Sequence, residues 1–209
     1  MTWVLTDRLR IGRTLYVGAL ALVTAALTTG YLVWSGIGAD FWTSNWAWGI
    51  FGAFVAGGML VLALQRARLG TPQPRRPGAL TAFWESVVYG AAEGVLLSLL
   101  PALVMWQALA AVGWTTGALV MAAGAIAFAT TLVVIVVHHL GYASFRNRRM
   151  VQAIMGCAPL SLAYLLTGSP IAPTVGHMLL HGEVLRQRFE LPPEGETKDG
   201  DELQLVEAA

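Results

Sequence analysis

Six stretches of this chain are apolar for about 20 residues each, the length of helix that fills a hydrocarbon layer about 30 Å thick. They run over residues 14–34, 47–64, 80–111, 117–139, 150–167 and 171–185, cut wherever charge, Pro or Gly clusters interrupt them. Hydrocarbon leaves only one architecture for such segments outside a β-barrel, because each must satisfy its backbone polar groups internally. The expected fold class is therefore all-α, a polytopic membrane helix bundle of about six transmembrane helices. The first run is too long for a removable secretory signal and lacks its small-residue cleavage site, so it is expected to stay as a permanent span. The third run exceeds one membrane thickness, and Pro101 within it is the expected kink.

The basic residues give a separate reading of the same cuts, since short cytoplasmic loops retain Lys and Arg. Arg8, Arg10 and Arg13 precede the first span, and Arg66, Arg68, Arg75 and Arg76 follow the second. Arg146, Arg148 and Arg149 follow the fourth, and Arg186, Arg188 and Lys198 follow the sixth. The alternate loops, around 35–45, 112–117 and 168–174, contain none. An even number of spans with both termini cytoplasmic follows, in a multi-pass protein expected in the cell (plasma) membrane. The chain then divides into two N-terminal spans (1–64), a cytoplasmic Arg- and Pro-rich linker (65–79), a four-helix core (80–189) and an acidic tail (190–209) whose composition favours disorder. Most tryptophans fall near span ends, where amphipathic rings sit at headgroup level.

Composition narrows the partners. The chain is 56% hydrophobic and 12% charged with a formal net charge of +1, which excludes a water-soluble globule and a nucleic-acid-binding surface. Lipid, and what enters from it, remains. The single cysteine, Cys157, rules out an internal disulfide and a thiolate metal cage.

A charge at the centre of a bilayer costs about 2.5–3.5 kcal/mol on insertion scales, so ionisable groups inside spans need a reason. Span three carries Glu85 and Glu93, span four ends in His138 and His139, and span six carries His177 and His181, with Glu183 towards its cytoplasmic end. No histidine lies elsewhere in the chain. His177 and His181 are four apart and share one helix face. His138 and His139 diverge by about 100°, so one of them is expected to face a site and the other is free to reach the interface. Counting helix rise from the basic residues puts His181, His138 and His177 roughly 8, 12 and 14 Å from the inner boundary. The same count from residue 80 gives roughly 8 Å for Glu85 and roughly 20 Å for Glu93. Rise alone thus favours Glu85 at histidine depth. Its position beside Trp84, near the headgroups, favours an interfacial role instead, whereas Glu93 has no such escape.

Two chemistries suit one carboxylate and several imidazoles in a membrane. The carboxylate can take a proton from water while imidazoles donate to a developing oxyanion, which is hydrolysis. Alternatively, His and Glu can ligate a divalent metal, or facing imidazoles can hold a haem.

The order of these residues resembles the CAAX-protease and bacteriocin-processing family of intramembrane proteases over residues 82–183. LSLAYLLTGSPIAPTVGHMLLHGEVL is similar to the family's closing segment, where a Thr-Gly-Ser turn leads into a helix bearing His-x-x-x-Asn or Asp. VVIVVHHLGY resembles its Phe-x-x-x-His helix, and AAEGVLLSLLP its Glu-Glu-x-x-x-Arg helix with Glu93 as the first carboxylate. The resemblance implies an intramembrane endopeptidase acting on membrane-associated or lipidated proteins. It implies Glu93 as general base, His138 or His139 as an orienting group, and His177 with His181 as oxyanion stabilisers. The chain departs from the pattern at Gly94 for the second Glu, Ser98 for the Arg, Val134 or Ile135 for the Phe, and His181 for Asn or Asp. Those departures leave a non-catalytic member acting as a membrane scaffold as a further reading.

Overall fold

The computed structural model describes residues 12–67 and 78–190. Most of the expected linker and all of the acidic tail after Glu190 lie outside the described residues. Among those described there is no strand. Six long helices form instead: α1 (Arg13–Ser35), α2 (Trp46–Ala67), α3 (Ala79–Ala111), α4 (Val120–Leu140), α5 (Arg149–Thr167) and α6 (Ile171–Glu190). Each coincides with one of the apolar runs.

Five of them, α1 to α5, are long and apolar enough to cross a membrane. Their burial patterns show which way they face. Along α4 the buried positions are Ala123, Ala127, Thr131, Ile135 and His139, one residue per turn, while Met121, Val133 and Val137 are exposed. Tyr16, Leu20, Thr24, Thr28 and Leu32 make the equivalent stripe on α1, with Leu22, Leu27 and Val33 turned outward. Large apolar side chains on the outside, with threonines, alanines and a histidine among the buried positions, depart from the soluble pattern and suit helices whose outer faces meet lipid.

The sixth helix explains itself differently. It is too polar to meet the criterion the other five satisfy, yet none of residues 171–185 is exposed. Helices α2, α3 and α5 enclose it, so its histidines and glutamate are solvated by protein rather than by lipid tails. Close approach is achieved through glycines. A Cβ on Gly52 would crowd Ala172 of α6, and one on Gly57 would lie 3.2 Å from the Gly176 Cα. Gly58, by contrast, faces open space.

Helix α3 is the other central element. Purely α-helical, its 33 residues would span about 50 Å. It runs without a break, but two stretches, Trp84–Val88 and Gly94–Leu99, are π-helical. Pro101 clashes with the carbonyl four residues back, that of Leu97. That carbonyl falls in the second π stretch, so a widened ladder takes up the disruption at the position where the kink was expected.

Elsewhere the ends are set by backbone geometry. Gly36 and Gly168 adopt left-handed conformations (φ 70° and 62°) and close α1 and α5 with their backbone N–H groups. Pro173 sits in the first turn of α6 as expected. Ser169 does not cap that helix with its side chain: its Oγ is buried against Gly49 without a hydrogen-bond partner.

All Arg side chains whose burial is described (Arg13, Arg66, Arg146, Arg148, Arg149 and Arg186) are exposed. If the six helices cross in alternation, as the loop charges imply, these positions fall on one side. An impermeant maleimide applied to intact cells should therefore label an Asp40→Cys variant, and should label Ser144→Cys only after permeabilisation, both in a Cys157→Ser background. The reverse pattern would refute the orientation.

Candidate active site

Helices α3, α4 and α6 each send polar side chains to one point in the bundle. At its centre is Glu93, at the end of the α-helical turn Tyr89–Glu93 that separates the two π stretches of α3. The His181 Nε2–H donates to Glu93 Oε2 at 2.9 Å. His138 Nε2 reaches Glu93 Oε1 at 3.3 Å, an ion-pair distance at which the N–H is not aligned for a hydrogen bond. One carboxylate thus bridges two helices through its two oxygens. The side chains of Glu93 and His138 are only 6% and 8% exposed, that of His181 18%.

The backbone of α6 comes this close because α3 presents glycine towards it. A Cβ on Gly90 would lie 2.8 Å from the Met178 Cα, and one on Gly94 would lie 2.6 Å from the Pro173 carbonyl oxygen. These glycines are the i−3 and i+1 neighbours of Glu93, so the contact that docks α6 also sets the distance from Glu93 to His181.

The other two histidines occupy their own places. His139 is buried rather than at the interface; its Nδ1–H donates to the Ile135 carbonyl at 2.8 Å and its ring packs on Phe145. His177 is wholly buried, donates Nδ1–H to the Pro173 carbonyl at 3.1 Å, and stacks on His181 with ring centroids 6.5 Å apart. Because a carbonyl can only accept, a neutral His177 carries its proton on Nδ1 and leaves Nε2 as an acceptor. That Nε2 is buried without a hydrogen-bond partner among the described residues. A neutral His177 therefore offers an oxyanion no proton, which departs from the role implied by the family resemblance.

Glu85 lies outside this cluster. Its Oε1 pairs with Arg13 Nε at 3.1 Å, at the end of the bundle where α1 begins. The pair gives the depth count a reference point along α3 other than the helix start. Measured from Glu85 instead of from the helix start, Glu93 lies eight residues or about 12 Å deeper, level with His138. Glu183 is likewise accounted for near the C-terminal end of α6, with Arg186 forming two hydrogen bonds to its carboxylate and Gln187 a third.

No protein-family model, curated protein or solved structure matches the chain.

The site is accordingly read from its own geometry, and that geometry includes three residues the sequence did not single out. The Tyr142 hydroxyl bonds with that of Tyr16 at 2.6 Å and with that of Tyr89 at 3.3 Å. Tyr89 stands edge-on to the His181 ring with centroids 4.7 Å apart, and its hydroxyl interacts with Glu93. Tyr142, in the loop after α4, contacts His138 edge-on as well. Burial first, and the Glu93 carboxylate second, push the Tyr142 phenol up, so it remains a protonated donor. Tyr16 and Tyr142 lie near span ends, where aromatic residues ordinarily read as interfacial anchors.

The positions that depart from the family pattern are filled by packing. Gly94 has no room for a side chain, and Ser98 is fully buried with its Oγ accepting from Ser161 Oγ at 3.0 Å. Among the described residues no group of three or more His, Cys, Asp or Glu is arranged to hold a metal ion. The imidazoles of His138 and His181 are both directed at the carboxylate, so no ready ligand cage supports the metal alternative.

Proposed function

We propose that this chain is a multi-pass hydrolase of the cell membrane, an endopeptidase resembling the CAAX-protease and bacteriocin-processing family, acting on membrane-associated or lipidated proteins. The observation that carries this reading is the buried Glu93 carboxylate held between His138 of α4 and His181 of α6. A carboxylate in that setting is costly to bury, and two imidazoles with a phenol beside it supply the proton donors and acceptors that hydrolysis by an activated water requires. The elements that bring these residues together are the ones on which the resemblance rests. Enclosure of the cluster by apolar helices favours substrates that reach it from the lipid side.

The test is cleavage of short lipidated peptides by the purified protein reconstituted in vesicles, followed by mass spectrometry. The parent protein is expected to release product, and Glu93→Gln to release it slower by about 10²-fold or more. A Glu93→Gln protein that folds normally and cleaves at the parental rate would overturn the proposal. The filled positions at Gly94 and Ser98 favour a second reading, a non-catalytic scaffold. It predicts no cleavage by the parent, and partner capture that survives loss of Glu93.

A further inference from the structure

A cleft reaches one side of the cluster. Its volume, about 10 Å³, is close to the least that holds a single water, and it is lined by Arg13, Glu85, His181, Val184 and Leu185. Of the three groups joined at Glu93, His181 is the one that reaches this cleft and is the most exposed. Glu93 itself is walled off, with both oxygens engaged by imidazoles. Across the cleft from His181 is a cation. Arg13 is held there by Glu85 and by the face of the Tyr89 ring, its guanidinium carbon 5.3 Å from the centroid. The edge of that ring in turn packs on His181.

Building on the hydrolase reading, we propose that the reacting water occupies this cleft, that His181 is the general base, that Glu93 acts through it as a positioning residue, and that Arg13 faces the developing oxyanion. The bond pattern supports this division. With Nε2–H donated to Glu93, a neutral His181 has Nδ1 as its acceptor, and the carboxylate fixes both the tautomer and the ring orientation. In the step, the water oxygen bonds to the scissile carbonyl carbon and its proton passes to His181 Nδ1. The carbonyl electron pair moves onto oxygen, which Arg13 stabilises. On collapse the C–N bond breaks, and the proton on His181 goes to the leaving amine. His138, on the far oxygen of Glu93, holds the carboxylate from the other side. Arg13 thus joins the site from a helix that lies outside the region of family resemblance.

Chemical rescue tests the assignment on the reconstituted full-length protein. His181→Ala is expected to lose about 10²-fold or more in kcat, and millimolar imidazole in the buffer is expected to restore a measurable part of it, because the truncated side chain leaves a hole open to the cleft. Arg13→Gln is expected to lower kcat while changing KM little, the signature of an interaction made in the transition state. A lightly reactive Cys157 in both variants confirms that they remain folded. If the parent cleaves but imidazole fails to restore a folded His181→Ala protein, or if Arg13→Gln raises KM alone, the assignment is wrong and the hydrolase reading stands. If the parent cleaves nothing, the hydrolase reading itself has failed.

Discussion

Glu93→Ala is expected to lower the stability of the folded protein by about 3–5 kcal/mol, the cost of removing one partner from a buried charged cluster. Three effects act together. The imidazole of His181 loses its hydrogen-bond acceptor and that of His138 the carboxylate oxygen it faces, in a site where the side chains are largely buried. The truncated side chain leaves a void between α3 and α6, whose walls lose their dispersion contacts. Tyr89 also loses the carboxylate that its hydroxyl addresses. Glu93→Gln keeps the volume and an acceptor oxygen, so it should cost markedly less while still removing the charge. The pair of variants separates structural loss from chemical loss. Thermal unfolding in detergent with a thiol-reactive dye reads the difference directly, since Cys157 is the single cysteine and is buried between α3, α4 and α5. An alanine variant that melts with the parent would mean that the carboxylate is solvated in some other way.

The helices were legible because hydrocarbon allows so few alternatives. Predicted spans 14–34 and 80–111 differ by a residue or so from Arg13–Ser35 and Ala79–Ala111, and the arginines sort the loops without appeal to packing. The site was legible only in part. His177 and His181 at i, i+4 did mark one face, but of the two only His181 reaches Glu93, because the His177 proton is drawn back to the carbonyl of Pro173. Depth alone pointed to Glu85, because rise was counted from the start of α3, and it was the interfacial position of Glu85 beside Trp84 that left Glu93 as the site carboxylate. Tyr16, Tyr89 and Tyr142 were illegible for a different reason. Their hydroxyls meet across α1, α3 and the loop after α4, and no local spacing records a meeting of three separate segments.

Gly94→Ala is expected to be the most damaging Gly→Ala change among the described residues. The new Cβ would lie 2.6 Å from the Pro173 carbonyl oxygen and 2.9 Å from the Thr174 Cα. Both are backbone atoms of α6 and have no rotamer by which to withdraw. The strain should cost about 1–3 kcal/mol, and relieving it requires α6 to move away from α3. His181 rides on α6 and Glu93 is the residue before Gly94, so the same movement lengthens their 2.9 Å hydrogen bond. A displacement of about 1 Å in a catalytic pair is worth about 10²-fold in rate, so activity should fall further than stability alone accounts for. Gly58→Ala provides the contrast, because a Cβ there meets nothing within 4 Å and replaces glycine in a helix, a change worth up to about 1 kcal/mol in favour of folding. Melting temperature and peptide-release rate measured on both variants decide the matter. If Gly94→Ala matches Gly58→Ala in both, then the close approach of α3 to α6 is not what holds Glu93 against His181. If only the rate falls, the bundle absorbs the strain and the cost is borne by the geometry of the site.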